Sequence, residues 1–442
     1  MTRRLGIFAP AILLCGAAIS VQSYGQGAAP PVLHAKTYDS HFTPAAGLGE
    51  SFNGLGFASN GKLYYVIDSA AYNVPGEMYS LDPKTGTITP IADLNAATGQ
   101  GDVKAVAQGK SHVNFIESNG KLYFATHLGY YNRDRGVERT AVPPNGYLPY
   151  PGGHFLSYDL HTGRFESLAI APRGEGIISF NMDVKRGRLY GLTWPTGHFL
   201  SYDLGTRQLK DFGGFFSGGE SGQVGSTYRA ICRRIVVDPR DGSAYFTTGD
   251  GAIHRYRPDT NQVEPVPGVS LHKDYFGKLD PAQQGMAFNW RAAVWNPNDN
   301  SIYAVNGASG YLFRFDPAAG TIEVLERLTS EPSKRLGMAD KSDYGYLGLA
   351  LDTRNNRLYY LTGSPLPPGS NKDEGSHLIT WDISQKRYQD HGQIMLDTGD
   401  GAGNEQALAL ADNGAIYTLT TIHRNGHQEM DLISLGPVTC AP

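Results

Sequence analysis

Seven times along the chain a small apolar residue followed by tyrosine opens a short apolar run, and in one copy alone that run ends in histidine. The copies are Leu63-Tyr64, Leu122-Tyr123, Leu189-Tyr190, Ala244-Tyr245, Ile302-Tyr303, Leu358-Tyr359 and Ile416-Tyr417. Their spacing, roughly 45 to 70 residues, is that of propeller blades. Four places after each tyrosine stand, in turn, Asp68, His127, Trp194, Gly249, Gly307, Gly363 and Thr421. The repeat limits the fold, and the histidine copy marks where chemistry departs from it.

Each repeat reads as four strands: an apolar strand, a turn, the tyrosine strand, a strand ending in aromatic-Asp, and an edge strand. Asn60-Gly61 and Asn119-Gly120 supply the strongest short-range hairpin signal between alternating apolar runs. The third-strand ending recurs as Leu81-Asp82, Tyr158-Asp159, Tyr202-Asp203, Phe315-Asp316 and Trp381-Asp382, where the aspartate initiates the next turn. The seventh repeat runs out after its third strand, while Val32 to Asp39 precedes the first repeat without a partner. Pairing the two leaves few exposed sheet edges. The expectation is an all-β, seven-bladed β-propeller over residues 32–437, one domain with its ring closed by the N-terminal strand.

With 442 residues, 40% of them hydrophobic and 18% charged, length alone would divide the chain into two or three domains. The sevenfold repeat replaces that division. A net charge of -4 gives no general attraction to nucleic acid or to an anionic membrane, so an anionic substrate requires a local basic patch. Arg3 and Arg4 followed by an apolar run from Leu5 to about Ile19 read as a secretory signal peptide within residues 1–25, which predicts a secreted or periplasmic protein. No later stretch approaches the ~20 apolar residues of a membrane span, so no membrane insertion is expected. Cys232 and Cys440 remain after cleavage. They exclude a disulfide-rich scaffold and leave Cys232 expected as a buried free thiol.

The repeat also explains residues that look catalytic in isolation. Tyr190 has six equivalents at the same position, which makes packing between blades its expected role. The third-strand aspartates and the lone histidines His154, His161, His198, His254, His391, His423 and His427 are read in the same way, the histidines as surface residues of outer strands or turns.

The start of a blade's first strand and the end of its second lie on one face of a propeller. A hairpin centred between Asn119 and Gly120 sets His112 opposite His127, with Cβ atoms about 4.5 to 5.5 Å apart. Asn114 points to the same side. Two adjacent imidazoles can bind a metal, share a proton, or act as base and electrophile, or simply hydrogen-bond within a polar channel. Asn53 stands at the place of His112 in repeat one. Arg229 opens repeat four and Arg291 repeat five, and their guanidinium forks suit carboxylate or sulfate groups. Arg233 and Arg234 alternate sides, so that one faces the channel and the other pairs within its blade. Insertions at 130–151 and 365–376 open on the same face, and the first carries Tyr130, Tyr131, Arg133, Arg135, Tyr147 and Tyr150, a composition suited to sugar stacking.

The stretch Ser111 to His127 (SHVNFIESNGKLYFATH), continued by Leu-Gly-Tyr-Tyr131, resembles the propeller polysaccharide lyases of the ulvan lyase type. Arg188 to Phe199 (RLYGLTWPTGHF) and Gly310 to Asp316 (GYLFRFD) are similar too, and the likeness runs through most of the blades. It implies cleavage of the bond at C4 of a uronic acid by β-elimination within an anionic uronate-containing polysaccharide. That reaction requires the carboxylate to be neutralised, the C5 proton removed and the leaving oxygen protonated. On this reading Arg229 and Arg291 neutralise the carboxylate, His112 and His127 supply the base, and a tyrosine, Tyr228, Tyr344 or Tyr130, supplies the acid. Asn53 and Asn114 would hold substrate, and Trp194, at the repeat position of His127, would stack on a sugar ring.

No cofactor is required by this reading, and a monomer is expected. Two other readings stay open: a metal-dependent enzyme like the oligogalacturonate lyases, with the histidines holding a divalent cation, and a non-catalytic exported propeller that binds glycan or protein. A calcium site of Asn53, Asn404 and Glu405 is a further alternative.

Overall fold

The computed structural model describes residues 31–38, 48–134, 137–280, 285–335, 348–362, 375–403, 407–424 and 427–439. The expected export segment, Tyr344, Asn404, Glu405, Cys440 and most of the 365–376 insertion lie outside the described residues.

Within them the chain is all-β and propeller-like, built of small, mostly antiparallel sheets, with repeats one to five each in a sheet of their own and repeats six and seven joined in one. The tyrosine strand is second in each, as in the repeat-three order Gly176–Asp183, Arg188–Trp194, His198–Asp203 and Gln208–Gly214. Helix is confined to short segments such as Leu94–Ala97 and Glu331–Arg335. No helix among the described residues is long and apolar enough to cross a membrane.

The N-terminal strand Val32–Thr37 joins two repeats. Its first half runs parallel to Arg387–Leu396 of repeat six, and Lys36 and Thr37 pair antiparallel with Ser434 and Ile433 of repeat seven. One eight-stranded sheet results. Ala35, 2% exposed, lies against Leu396 at the seam.

All seven repeat tyrosines are buried, which accounts for their recurrence as packing residues. Tyr190 stacks among Phe199 and Tyr256 and gives its hydroxyl to the Gly242 carbonyl at 2.9 Å. The third-strand aspartates cap the turns that follow: Asp316 accepts the Ala318 and Ala319 amides at 2.9 and 3.0 Å. Asn119 and Gly120 both have positive φ, 52° and 71°, the backbone of a two-residue hairpin turn. Cys232 is buried and free.

A second repeated device was not read from the sequence. The third strands of repeats two, three and six begin with His154, His198 and His377, and each backbone amide donates to a threonine hydroxyl at the end of the second strand: Thr126, Thr193 and Thr362 at 2.9, 3.0 and 2.8 Å. Each Nδ1 then meets a fourth-strand side chain, Ser167, Asp211 or Asp390, at 2.7, 2.8 and 2.9 Å. These histidines tie blade edges together. His154 is therefore buried, 1% exposed, and His391, in a fourth strand and hydrogen-bonded with Thr380 at 2.8 Å, is 8% exposed, so neither lies on the surface as its outer-strand position implied, whereas His161 is exposed.

Ala35→Asp would place a charge with no built counter-charge in the seam between repeats six and seven. Urea denaturation is expected to show a loss of about 3 kcal/mol or more of unfolding free energy. A variant as stable as the parent would contradict the burial of the N-terminal strand.

Candidate active site

The histidine pair forms, although not by the register expected of the hairpin. Ile116 pairs with Tyr123 and Ser118 with Lys121, as the turn dictates. Further up, the backbone partner of His127 is Lys110, not His112, through reciprocal amide bonds of 2.9 and 2.8 Å. The reason lies at Ser111. Its amide donates to Asp68 Oδ1 of repeat one at 2.9 Å, and its hydroxyl donates to the Ala125 carbonyl at 3.0 Å. A side chain thus replaces a rung, and Ser111 to Phe115 leaves the ladder. The bulge still carries the His112 ring to His127, with centroids 4.6 Å apart and planes at 66°.

Both rings are shut in. His112 is 5% and His127 1% exposed. Phe52 of repeat one stacks flat on His112 at 4.2 Å. Lys110 Nζ lies over Phe52 and Tyr131, 4.5 and 5.1 Å from their centroids, and pairs with Glu50 Oε2 at 2.6 Å. On the far side His127 meets the rings of Trp194 at 5.7 Å and Tyr131 at 6.1 Å. Behind it is Gly176, where a Cβ would stand 1.9 Å from His127 Nδ1, so only glycine leaves room for the imidazole.

Burial pushes the His112 pKa well below its ordinary value, and His127, Lys110 and Arg233 add to the effect. His127 is lowered in the same way by burial, then by Lys110 and Arg233. Both imidazoles are neutral near pH 7 and able to accept a proton. Burial raises the Asp68 carboxyl, against the pull of Lys110.

The other expected site residues divide. Asn53 and Asn114 converge, since their Oδ1 atoms both receive the Arg234 guanidinium, at 3.2 and 2.7 Å. Arg234 thus reaches side chains of repeats one and two, while Arg233 binds the buried carboxylate of Glu220, in the connection between repeats three and four. Trp194 is not a sugar platform: it is 1% exposed and donates its indole N–H to Glu220 Oε2 at 2.9 Å. Arg291, 1% exposed, reaches the hydroxyl of Tyr360 in the neighbouring sheet, so its charge is not presented to the histidines. Arg229 folds back on its own loop, donating to the carbonyls of Ser226 and Tyr228 at 3.0 and 2.7 Å. Tyr228 is buried. Tyr130 packs edge-on against Tyr72 at 5.7 Å, and its neighbour Tyr131 is the tyrosine beside the imidazoles.

Lys110, Phe52 and Glu220 therefore belong to the cluster and were missed, while Tyr131, read from the sequence as one of the insertion's aromatics, proves to stand against His127. A signal for the cluster existed in the repeat: Asp68, His127 and Trp194, the post-tyrosine residues of the first three repeats, all lie in it. Among the described residues no group of three or more His, Cys, Asp or Glu side chains is placed to hold a metal ion.

No protein-family model matches the chain, and no curated protein sequence matches it significantly.

Gly176→Ala should force His127 from its place and separate the two rings. A crystal structure of that variant with the ring contact intact would contradict this packing. A second expectation concerns pH. Burial holds His154 and His391 down to about 4. Unfolding restores the ordinary value near 6.5, so between these limits the unfolded chain binds protons that the folded chain does not. Their contribution is complete above about pH 6.5 and is lost as pH falls toward 4, while Asp68, raised by burial, acts in the opposite sense. Urea melts of His154→Gln are expected to show a shallower loss of stability between about pH 6.5 and 5 than the parent, by on the order of 1 kcal/mol per pH unit. Parallel curves would contradict the neutral, buried state of His154.

Proposed function

We propose that the protein is an exported polysaccharide lyase, a seven-bladed propeller over residues 32–437 closed by its N-terminal strand, that cleaves at C4 of a uronic acid by β-elimination in an ulvan-type or related rhamnosyl-glucuronate glycan. The observation that carries this reading is the pair of neutral imidazoles in contact at 4.6 Å, in the one repeat whose tyrosine run ends in histidine. A neutral imidazole is the protonation state a C5-proton base needs.

In this proposal the substrate carboxylate displaces Glu50 from Lys110. Lys110 then supplies the charge neutralisation first assigned to Arg229 and Arg291, and it does so beside the base. Entry requires Phe52, which is half-buried, to swing off His112. One imidazole takes the C5 proton and the other orients it. Tyr131 is the nearest phenol for the leaving oxygen, its hydroxyl held on the Leu128 carbonyl at 2.7 Å. Substrate binding draws on the aromatic rim formed by Tyr72, Tyr130 and Tyr147, where Tyr72 and Tyr147 meet edge-on at 4.9 Å.

A second reading, a non-catalytic propeller that binds a glycan or protein, is favoured by one observation: both rings are sealed under Phe52. Absorbance of unsaturated uronate, followed while the mature protein meets a panel of uronate polysaccharides, separates the two. The lyase reading expects a rise with at least one glycan, reduced about 100-fold or more in His112→Ala and His127→Ala. Binding of a glycan without any rise, unchanged by chelator or added divalent metal, supports the second reading and rules out the first.

A further inference from the structure

The first strands of repeats two to five and the residues beside them line an open cavity of about 610 Å³. Its walls are largely apolar, with Phe180, Val236 and Trp295 among them, and Arg234 and Asn114 also line it. The volume falls within the range of about 300 to 1,000 Å³ usual for small-molecule sites.

The charge in this cavity is not neutralised. Arg234 donates to Asn114 and Asn53 at 2.7 and 3.2 Å, both neutral amide oxygens, and forms no salt bridge among the described residues. Burial lowers its pKa to about 10, so the guanidinium remains charged at neutral pH. The acid in the lining, Asp183, is taken by Arg186 at 3.0 Å. Lys185, exposed in the same lining, adds a second positive charge and has no ion-pair partner among the described residues. A charged fork held only on neutral amide oxygens, set among apolar walls, calls for a ligand that brings a negative charge.

We propose that this cavity binds a small organic carboxylate, its carboxylate on Arg234 and its body against Phe180, Val236 and Trp295. The planar fork of arginine matches a carboxylate through two parallel N–H···O bonds. A hydrated inorganic anion would satisfy the charge but leave the apolar walls without contact. Neither imidazole lines this cavity, and the proposal does not depend on the lyase reading.

Isothermal titration of the mature protein with benzoate, at constant ionic strength, tests the assignment, with nitrate as the inorganic competitor. Saturable benzoate binding in the millimolar range or tighter is expected. Arg234→Gln should weaken it at least about 10-fold, the loss of one charge-assisted contact. Arg234→Lys, which keeps the charge and removes the planar fork, should weaken it about 3-fold and guards against a misfolded Arg234→Gln. No saturable heat, equal affinity for nitrate, or benzoate affinity unchanged in both variants would each overturn the proposal.

Discussion

Where a strand ends, its hydrogen-bond ladder ends too, and the backbone groups beyond the last rung must find partners while still buried. In this protein side chains from the same or the neighbouring repeat supply them. Asp68 of repeat one takes the Ser111 amide of repeat two, the threonine hydroxyls of repeats two, three and six take the His154, His198 and His377 amides, and Glu220 takes the Ile231 amide at 2.9 Å. The candidate site is built from these substitutions. Were Ser111 held by an ordinary rung, His112 would stand in regular register, and Lys110 would not be the backbone partner of His127.

The same constraint sets the electrostatics. Ladder ends collect polar groups, and packing between the repeats removes them from water. Asp68 is raised by burial, while His112 and His127 are lowered by burial and by nearby Lys110 and Arg233. The basic side chains of the cluster are matched to carboxylates: Lys110 to Glu50 and Arg233 to Glu220. Arg234 alone of the three is left on amide oxygens. The region therefore holds a sealed neutral pair and, lined by Arg234, an open cavity.

The strand order of the sheets was legible because it is written seven times: a tyrosine that must pack, a turn that must cap, a spacing that must recur. The meeting of His112 with His127 was legible from the Asn119-Gly120 turn, although the rung between them was not. A Ser111 hydroxyl competing for the Ala125 carbonyl leaves no periodic trace in a sequence. The arginines were the weakest part of the reading. A charged residue at a strand start points to no particular partner, and Arg291 found Tyr360 while Arg229 found its own loop. Trp194 was placed in the right cluster and given the wrong face, since repeat position predicts convergence but not burial. The paired histidines of the third strands were hidden because their partners lie a full turn away on the next strand and vary between Ser167, Asp211 and Asp390.

The central claim is that two buried, neutral imidazoles share one contact. Nitrogen NMR of histidine-labelled protein across a pH series tests it most directly, because protonated and neutral imidazoles differ in their ring-nitrogen shifts. The account predicts that His112 and His127, assigned by single substitution, keep the neutral pattern well below pH ~6.5, the ordinary histidine value. Protonation of either ring at or above that pH would contradict it.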